Sequence, residues 1–408
     1  MSESTDRTRN RVAVTGLGVV SSIGTGVAEY AAGLRAGRSG ARPISVFDTE
    51  GFAHNVGCEV VGFEPARWIT AQPPEDLGRA AQFSVAAARM AMADAGISGT
   101  GTGRAMVCLG TTDGGGDAGE RIAENIVRDR GVPAELPRRV PAGTLPVAVA
   151  RELGLSDVDI STVATACAAG NYAIGNGFDA IASGDVDVAL CGGADAMCRM
   201  TFTGFYRLGA VDPERCRPFD VDRQGILTGE GAGVLVLEPL DRARARGARI
   251  YAEVLGYGLN CDASHPVAPD QDSVAACMRL ALDDAGVTPD QVDLISAHGT
   301  GTKANDATEC GAIHSVFGEV ASGPPRTVSV KSMLGHTMGA ASALSAIACA
   351  LAIAEGFIPP TINHVKTDPA CGIDCVPNSS VDADLRIVQN NALAFGGDNS
   401  VVLFGRHE

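Results

Sequence analysis

The sequence predicts a layered α/β fold made of two related halves. The chain has 408 residues and is 45% hydrophobic, which is enough apolar surface for a large core. Strand-like and helix-like segments alternate along it, as they do in layered α/β proteins. A ten-residue pattern also recurs at an offset of 190 residues. We therefore expect one half over residues 1–250 and a second over residues 251–408.

The recurring pattern is ARMAMADAGI (88–97) and MRLALDDAGV (278–287). Each copy has the apolar spacing of an amphipathic helix and then a glycine, the residue that most often ends a helix. An apolar strand and a Gly/Thr loop follow both copies, AMVCLGTTDGGG (105–116) and VDLISAHGTGT (292–302). The shared order of elements favours an internal duplication over a chance match.

Composition excludes several classes of protein. The formal net charge is −16, which disfavours nucleic acid as a partner. The twelve cysteines lack the spacing of a small disulfide-rich domain, and CGIDC (371–375) has neither a second cysteine pair nor a nearby histidine to complete a metal site. The first ten residues, MSESTDRTRN, are polar and unlike a signal peptide. These features predict a cytoplasmic enzyme with reduced cysteines.

Two segments could be mistaken for other kinds of site. The apolar run GAASALSAIACALAIAEG (339–356) is shorter than the ~20 residues that span a bilayer and is rich in Ala and Ser, so we expect a buried core helix and no membrane partner. RVAVTGLGVVSSIGTG (11–26) resembles a dinucleotide fingerprint but lacks its third glycine. We expect a buried strand there.

The first candidate for chemistry is Cys167, in the segment STVATACAAGNYAIGNG (161–177). A β-branched run ends just before it and an Ala/Gly-rich run begins just after it, which predicts a strand followed by a helix. A cysteine at a helix N-terminus feels the positive end of the helix dipole, so we expect a lowered pKa and a nucleophilic thiolate. The N–H groups there can also hold an oxyanion.

The second half contributes three further segments. SAHGTGTKANDATE contains His298, VSVKSMLGHTMGAASALS contains Lys331 and His336, and NALAFGGDNSVVLF contains Phe395 before a Gly-Gly turn. Two neutral imidazoles can donate hydrogen bonds to a carbonyl that becomes an enolate. A cysteine with two histidines therefore suits acyl transfer followed by carbon–carbon bond formation, whereas a Cys–His hydrolase needs one histidine and an orienting Asn or Asp.

Four motifs in this order, TACAAG, AHGTGT, KSMLGH and FGGDN, resemble the β-ketoacyl-[acyl-carrier-protein] synthases of the thiolase superfamily. The likeness is greatest to synthase II and to the ketosynthase subunits of type II polyketide systems. The resemblance implies a thiolase fold, with the two α/β halves in a five-layered α-β-α-β-α arrangement. The first half would carry the nucleophilic cysteine and the second the two histidines.

The resemblance also implies roles for individual residues. Cys167 matches the acyl-accepting nucleophile, and the backbone N–H groups of Cys167 and Phe395 match the oxyanion hole, with the Phe395 ring as a gate. The other matched positions are the catalytic pair His298 and His336, the neighbouring Lys331 and Glu309, and the pantetheine-contacting Thr300 and Thr302. No cofactor is implied, because acyl groups arrive on the phosphopantetheine arm of a carrier protein.

Pocket and docking residues follow from the same alignment of motifs. Where fatty-acid synthases of this family have an apolar stretch at the base of the acyl pocket, this chain has Thr111, Thr112 and Asp113. The basic docking positions for the acyl-carrier protein correspond to Arg138, Arg139 and Arg207. The expected assembly is a homodimer, or a heterodimer with a chain-length-factor-like subunit.

Three positions depart from the family pattern: Leu334 in the lysine motif, Asp398 in the C-terminal turn, and Val267 where a pantetheine-contacting threonine is usual. A thiolase would need a second catalytic cysteine at that turn, and a synthase III would have Asn in place of the second histidine. We therefore predict a discrete ketosynthase that condenses malonyl-acyl-carrier protein with a Cys-bound acyl chain in type II polyketide or polyene biosynthesis. The alternatives are housekeeping fatty-acid elongation and a non-elongating partner subunit.

Overall fold

The computed structural model describes residues 9–99 and 102–408. Residues 1–8, most of the polar N-terminal stretch that is unlike a signal peptide, lie outside the described residues. The strands are β1 (Val12–Ser21), β2 (Gly24–Thr25), β3 (Arg42–Pro43), β4 (Val56–Gly57), β5 (Ala105–Gly110), β6 (Val158–Val163), β7 (Val188–Asp195), β8 (Gly231–Pro239), β9 (Ala252–Cys261), β10 (Leu294–Ser296), β11 (Arg326–Val328), β12 (Phe357–Ile358), β13 (Val381–Asp382), β14 (Ile387–Leu393) and β15 (Asp398–Gly405).

The helices complete the alternation of elements. They are α1 (Val27–Arg35), α2 (Arg79–Ala95), α3 (Gly116–Val127), α4 (Leu136–Arg139), α5 (Thr144–Leu153), α6 (Ala169–Ala182), α7 (Arg199–Arg207), α8 (Leu240–Ala245), α9 (Gln271–Ala285), α10 (Lys303–Phe317), α11 (Lys331–Leu334) and α12 (Ala341–Glu355). Short 3₁₀ turns at Ala166–Ala168 and Met338–Ala340 precede α6 and α12.

The main sheet has a symmetrical strand order. It runs β11-β10-β14-β15-β9-β1-β8-β7-β5-β6, with β2 attached to β1. Read outward from the centre, β9-β15-β14-β10-β11 on one side corresponds to β1-β8-β7-β5-β6 on the other. The two sides meet where Val12–Val14 pairs antiparallel with residues 252–254. Placing the division between halves at residues 250 and 251 stays a prediction.

Helices cover both faces of each side of the sheet. Along β8, Val234 and Val236 pack on the outer cluster that contains α2 and α5, while Leu235 and Leu237 pack on the central cluster with α6 and α12. This is the two-residue alternation of a strand that is buried on both faces. Strand β15 repeats it, facing α9 and α10 on its outer side. The layers are therefore helix, sheet, helix, sheet, helix.

The repeated decapeptide has the predicted local structure in both copies. Helices α2 and α9 both end at a left-handed glycine, with φ 66° at Gly96 and 63° at Gly286. Glycine adopts this conformation without steric cost and so ends the helix cleanly. The two helices occupy equivalent outer layers, which is the structural counterpart of the sequence repeat.

The apolar run before Gly356 is a core helix, as predicted. Among the described residues, Met338–Glu355 has the length and mean hydropathy (18 residues, 1.7) of a membrane span, yet 89% of it is buried inside the protein. The Gly16/Gly18 segment is likewise part of strand β1. A Cβ on Gly18 would lie 1.8 Å from the carbonyl oxygen of Ala87, so these glycines allow β1 and α2 to approach closely.

Candidate active site

The nucleophile candidate Cys167 lies in the 3₁₀ turn that joins β6 to α6, and only 5% of it is exposed. Ala166 before it has a φ of 45°, in the left-handed region that non-glycine residues avoid. The strained residue makes a sharp turn between strand and helix. This turn holds Cys167 directly ahead of the α6 N-terminus, where the sequence placed it.

The expected lowering of the Cys167 pKa is wrong. Burial raises the pKa of the thiol to about 12, although the charge of Lys331 and two backbone N–H groups act in the opposite direction. Desolvation disfavours the charged thiolate, and here it outweighs the local favourable field. Burial therefore favours the protonated thiol of Cys167.

Two backbone N–H groups near the Cys167 sulfur lower its pKa, and they belong to Cys167 itself and to Phe395. Phe395 lies in the turn between β14 and β15, which is closed by a 2.9 Å bond from Ala394 N to the Asp398 carbonyl. Gly396 and Gly397 have φ of 93° and 92°, so the turn requires residues without a side chain. The structure thus brings together the two predicted oxyanion donors from different halves of the sheet.

His298 follows β10 and is held by two buried charged residues. The Glu309 carboxylate accepts the N–H groups of His298 and Gly299, both at 2.8 Å. Lys331 Nζ donates to the His298 carbonyl at 2.6 Å and lies 3.4 Å from Nδ1 of the ring. Burial and the Lys331 charge keep the pKa of His298 well below its usual range. The imidazole is neutral.

His336 follows α11 and is 2% exposed. Its Nδ1 accepts the backbone N–H of Met338 at 3.1 Å, so this nitrogen carries no proton. Burial, and then the charge of Lys331, place the pKa of His336 well below its ordinary value. A neutral imidazole that accepts at Nδ1 carries its proton on Nε2.

The two histidine rings form a pair of donors. Their centroids are 5.6 Å apart and their planes are inclined by 81°. Because the Lys331 ammonium and the Met338 N–H are both donors, each ring accepts at Nδ1 and donates at Nε2. Two such donors can bind one thioester carbonyl oxygen and stabilise the negative charge that grows on it as an enolate forms.

A cavity of about 250 Å³ connects these groups. Cys167, His298, His336 and Phe395 all line it. The remaining walls are mostly apolar and come from α7, the loop before α9, the start of α10 and the β14–β15 turn. The lining set is completed by Phe205, Leu208, Ala210, Ile226, Val267, Pro269, Thr300, Thr302, Ala304, Asn305, Leu393 and Ala394.

The predicted pantetheine contacts also face this cavity. The hydroxyl oxygens of Thr300 and Thr302 are 2.9 Å apart and bonded to each other, which leaves further capacity for a ligand's polar atoms. Val267, one of the three departures, lies on the same wall and is 40% exposed. At this position the chain offers apolar contact in place of a hydroxyl.

The predicted acyl-pocket residues are not part of the cavity lining. The Thr111 hydroxyl and the N–H groups of Thr112 and Asp113 all bond to the Asp195 carboxylate, at 2.6, 2.7 and 3.0 Å. The Asp113 carboxylate in turn accepts the Thr201 hydroxyl. These polar groups hydrogen-bond to one another outside the cavity lining.

The predicted docking arginines lie on two neighbouring helices, α4 and α7, which both pack on α3. Arg207 is exposed and stands between Phe205 and Leu208, which line the cavity. Arg138 and Arg139 border a separate cleft of about 280 Å³. Arg139 donates to the Glu75 carbonyl, whereas Arg138 is exposed.

Sequence reasoning missed two residues of this region. The Phe205 ring lies between the Phe395 ring (5.6 Å) and the His336 ring (6.2 Å) and forms part of the cavity wall. Asp195 is fully buried at the end of β7 and anchors the loop after β5. An acidic residue that closes the apolar run VALCGGAD was the available signal for Asp195.

Comparison with known families covers most of the chain. Residues 9–243 match the β-ketoacyl synthase N-terminal domain, and residues 251–365 match the β-ketoacyl synthase C-terminal domain. The first match alone spans more than half of the protein. The motifs that resemble this family therefore lie within a family-wide match.

Full-length relatives agree with this assignment. The chain is 39% identical over 401 residues to nodulation protein E of Rhizobium meliloti (strain 1021), covering 97% of this chain and 98% of that protein. It is 37% identical over 417 residues to 3-oxoacyl-[acyl-carrier-protein] synthase 2 of Synechocystis sp., covering 98% and 99% of the two chains.

Solved structures extend the likeness to the fold. The ishigamide ketosynthase/chain length factor superposes with a TM-score of 0.96 at 60% identity, over 98% of this chain and 100% of that one. A ketosynthase solved in complex with its type II PKS acyl-carrier protein superposes with a TM-score of 0.89 at 30% identity, over 98% and 100%. This chain belongs to the β-ketoacyl synthase family of acyltransferases and has the thiolase-type fold that its sequence predicts.

Proposed function

We propose that this chain is a discrete ketosynthase that condenses a malonyl group on an acyl-carrier protein with an acyl chain held on Cys167, in type II polyketide or polyene biosynthesis. One observation supports this most strongly. A cysteine with two N–H donors near its sulfur shares a cavity with two neutral imidazoles that both donate at Nε2. A hydrolase or a simple acyl transferase has no use for the second imidazole.

The first half-reaction is acyl transfer. The Cys167 sulfur attacks the thioester carbonyl of the acyl-carrier protein, and the N–H groups of Cys167 and Phe395 hold the oxyanion that forms. The bond from the acyl carbon to the pantetheine sulfur then breaks. The proton that Cys167 gives up ends on that departing sulfur. The mostly apolar cavity excludes the water that would hydrolyse the acyl-enzyme.

The second half-reaction makes the carbon–carbon bond. The malonyl thioester carbonyl binds between the Nε2–H groups of His298 and His336. Its carboxylate leaves as carbon dioxide, and the electron pair of the broken bond becomes the enolate that both imidazoles stabilise. The enolate carbon attacks the acyl group on Cys167, and the sulfur leaves as a thiolate that regains a proton from solvent. Lys331 acts through the imidazoles.

The acyl-carrier protein is the partner that delivers both substrates, and its phosphopantetheine arm takes the place of a separate cofactor. A related structure is described as a ketosynthase in complex with its type II PKS acyl-carrier protein. The exposed Arg207 stands beside cavity-lining Phe205 and Leu208, where it can attract an acidic carrier. Arg138 and Arg139 extend this basic docking surface.

A second subunit is expected at the edge strand β6. Among the residues that the structure describes, strand β6 has one neighbouring strand, β5, and 38% of its Ile160 is exposed. Such an edge accepts another strand. The relative described as the ishigamide ketosynthase/chain length factor supports a chain-length-factor-like subunit as the partner, with a second copy of this chain as the alternative.

The acyl chain is proposed to run from Cys167 towards Thr111, Thr112 and Asp113. A saturated chain that reached these groups would offer no hydrogen bond to the polar atoms that Asp195 and Thr201 leave free, at roughly 1–3 kcal/mol for each unsatisfied group. Chains with oxygen or conjugated double bonds are therefore expected to be preferred. Asp113→Ile should reduce this preference in a competition between saturated and polyene acyl-carrier substrates of equal length.

The decisive experiment traps the acyl-enzyme. With acyl- and malonyl-carrier protein supplied together with the partner subunit, we expect acylated Cys167 by intact mass and a β-ketoacyl product. Cys167→Ser should lose the product, and Cys261→Ser, which alters an exposed cysteine, should retain it. Equal elongation of saturated and polyene chains would replace the polyketide assignment by fatty-acid elongation. A chain that never becomes acylated would instead be a non-elongating partner subunit.

A further inference from the structure

Asp195 is a buried carboxylate with four hydrogen-bond donors. Three come from the loop after β5 and are described above. The fourth is the N–H of Gly339, which lies 2.6 Å from Oδ2 of Asp195. The Gly339 bond is distinct because it joins β7 of the first half to the segment that follows His336 in the second half.

The segment from His336 to Gly339 has one strained residue. Met338 has a φ of 53°, a conformation that costs a non-glycine residue about 1–2 kcal/mol. Its own N–H points to Nδ1 of His336 at 3.1 Å, and the next N–H, that of Gly339, points to Asp195. Two successive amides thus bond to the imidazole and the carboxylate. Without an acceptor for the Gly339 N–H, no hydrogen bond to Asp195 offsets the cost of the left-handed conformation at Met338.

Packing leaves no freedom at this contact. A Cβ on Gly339 would lie 2.5 Å from Cα of Thr111 and 2.7 Å from an Asp195 carboxylate oxygen. Separations below 3 Å are not tolerated, so any side chain at this position would displace both the Thr111 backbone and the Asp195 carboxylate. The chain therefore carries glycine where the His336 segment meets Asp195, although the φ of this residue is not in the left-handed region.

We propose that Asp195 is a positioning residue for His336: by accepting the Gly339 N–H it fixes the Met338 turn, and the turn presents the Met338 N–H to Nδ1 so that Nε2–H faces the cavity. The proposal rests on the ketosynthase function proposed above and adds a residue to it. Asp195 does not line the cavity and touches no substrate. It acts on decarboxylation through one histidine only.

The consequence is a selective defect. Loss of the Asp195 carboxylate should misdirect Nε2–H of His336 while the two oxyanion donors around Cys167 stay in place. A misplacement of about 1 Å can lower a rate by about a hundredfold. We expect malonyl decarboxylation to fall at least about tenfold. Self-acylation of Cys167 should stay within about threefold of the parent, because its oxyanion donors are the backbone N–H groups of Cys167 and Phe395.

Two variants test the contact from its two sides. Asp195→Ala removes the acceptor of the Gly339 N–H, and Gly339→Ala displaces it. The matched control is Glu59→Ala, which removes another buried carboxylate that accepts several donors, from Ser45 and Val46, outside the site. Malonyl decarboxylation and acylation are measured separately for each with the subunit assembly intact. The expected result is the selective loss in the first two variants and neither loss in the control.

A spectroscopic readout separates positioning from general damage. Nitrogen-15 NMR of histidine-labelled protein should report His336 as Nε2–H in the parent and as a mixture of tautomers in both variants. Parent-like decarboxylation in the folded variants, equal loss of acylation and decarboxylation, or an unchanged tautomer would overturn the proposal. Fast deuterium exchange at the Gly339 amide of the parent would also overturn the proposal, because it would show that the hydrogen bond to Asp195 is not held. A parent without decarboxylation would instead count against the proposed function.

Discussion

Lys331 Nζ lies 3.4 Å from Nδ1 of His298 and 2.6 Å from the carbonyl oxygen of the same residue. The ammonium thus fixes the backbone and the ring tautomer of one histidine together. Its charge also lowers the pKa of both His298 and His336. Burial and this one cation together keep the pKa of both imidazoles low, and the cation also sets the tautomer of His298.

The role of the cation can be measured from the pH dependence of decarboxylation. In the parent the histidine pKa values lie well below 6.5, so decarboxylation should stay constant as the pH falls from about 8 to about 6. Lys331→Met leaves the effect of burial but removes the charge that adds to it, so the acid limb of decarboxylation should move to higher pH than in the parent. Lys366→Met, which alters an exposed lysine, is the control. An acid limb at the parent position would contradict the assignment.

The histidines should separate decarboxylation from acylation. His298→Ala and His336→Ala each remove one donor to the enolate, which is worth roughly 3–4 kcal/mol in comparable sites, or a rate loss of about a hundredfold to a thousandfold. Acylation of Cys167 should persist because its oxyanion donors are backbone groups. Carbon dioxide release from malonyl-carrier protein and intact mass measure the two steps. A variant that decarboxylates at the parent rate identifies a misassigned histidine.

Cys167 should be alkylated slowly near neutrality, because burial raises its pKa to about 12. The rate of iodoacetamide labelling should then increase about tenfold per pH unit between about pH 7 and pH 10, as the thiolate fraction grows. Cys261 is exposed and would react at ordinary rates, so the experiment uses the Cys261→Ser background. Labelling that reaches a plateau near pH 7 would show that Cys167 is a thiolate after all.

Carrier docking should depend on the basic surface and on salt. Arg138→Glu together with Arg207→Glu should weaken the reaction with carrier-borne substrate, most strongly at low ionic strength, while small thioester mimics react as in the parent. Arg139 is better left unchanged, because its side chain holds the Glu75 carbonyl. Arg249→Glu is the control at another exposed position. Equal loss with both kinds of substrate would indicate damage to the fold.

Much of the fold was predictable because its signals are local. The glycine that ends α2 and the glycine that ends α9 both follow an amphipathic pattern, and strand β8 alternates between two apolar faces. The Cys167 turn was predictable for the same reason, since a β-branched run meets an Ala/Gly run there. Such patterns depend on near neighbours in sequence and need no knowledge of tertiary contacts.

The errors concern properties that arise only from packing. The Cys167 pKa was misjudged because its burial comes from segments of the other half, including the Phe395 turn. The placement of Thr111–Asp113 against the acyl chain stays a prediction, but the hydrogen bonds of this loop to Asp195, more than eighty residues away in sequence, could not be foreseen. Desolvation and long-range hydrogen bonds of this kind leave no periodic signal in a single sequence.

The open edge at β6 also bears on how the protein is handled. The backbone N–H and C=O groups on its outer side can pair with an extended segment of another chain, and the exposed Ile160 adds an apolar contact beside them. In the proposed heterodimer, molecules of this chain made in excess of the chain-length-factor-like subunit would keep that edge uncovered. We expect soluble yield to follow the ratio of the two subunits during synthesis, so that co-translation from one transcript suits this protein better than separate expression.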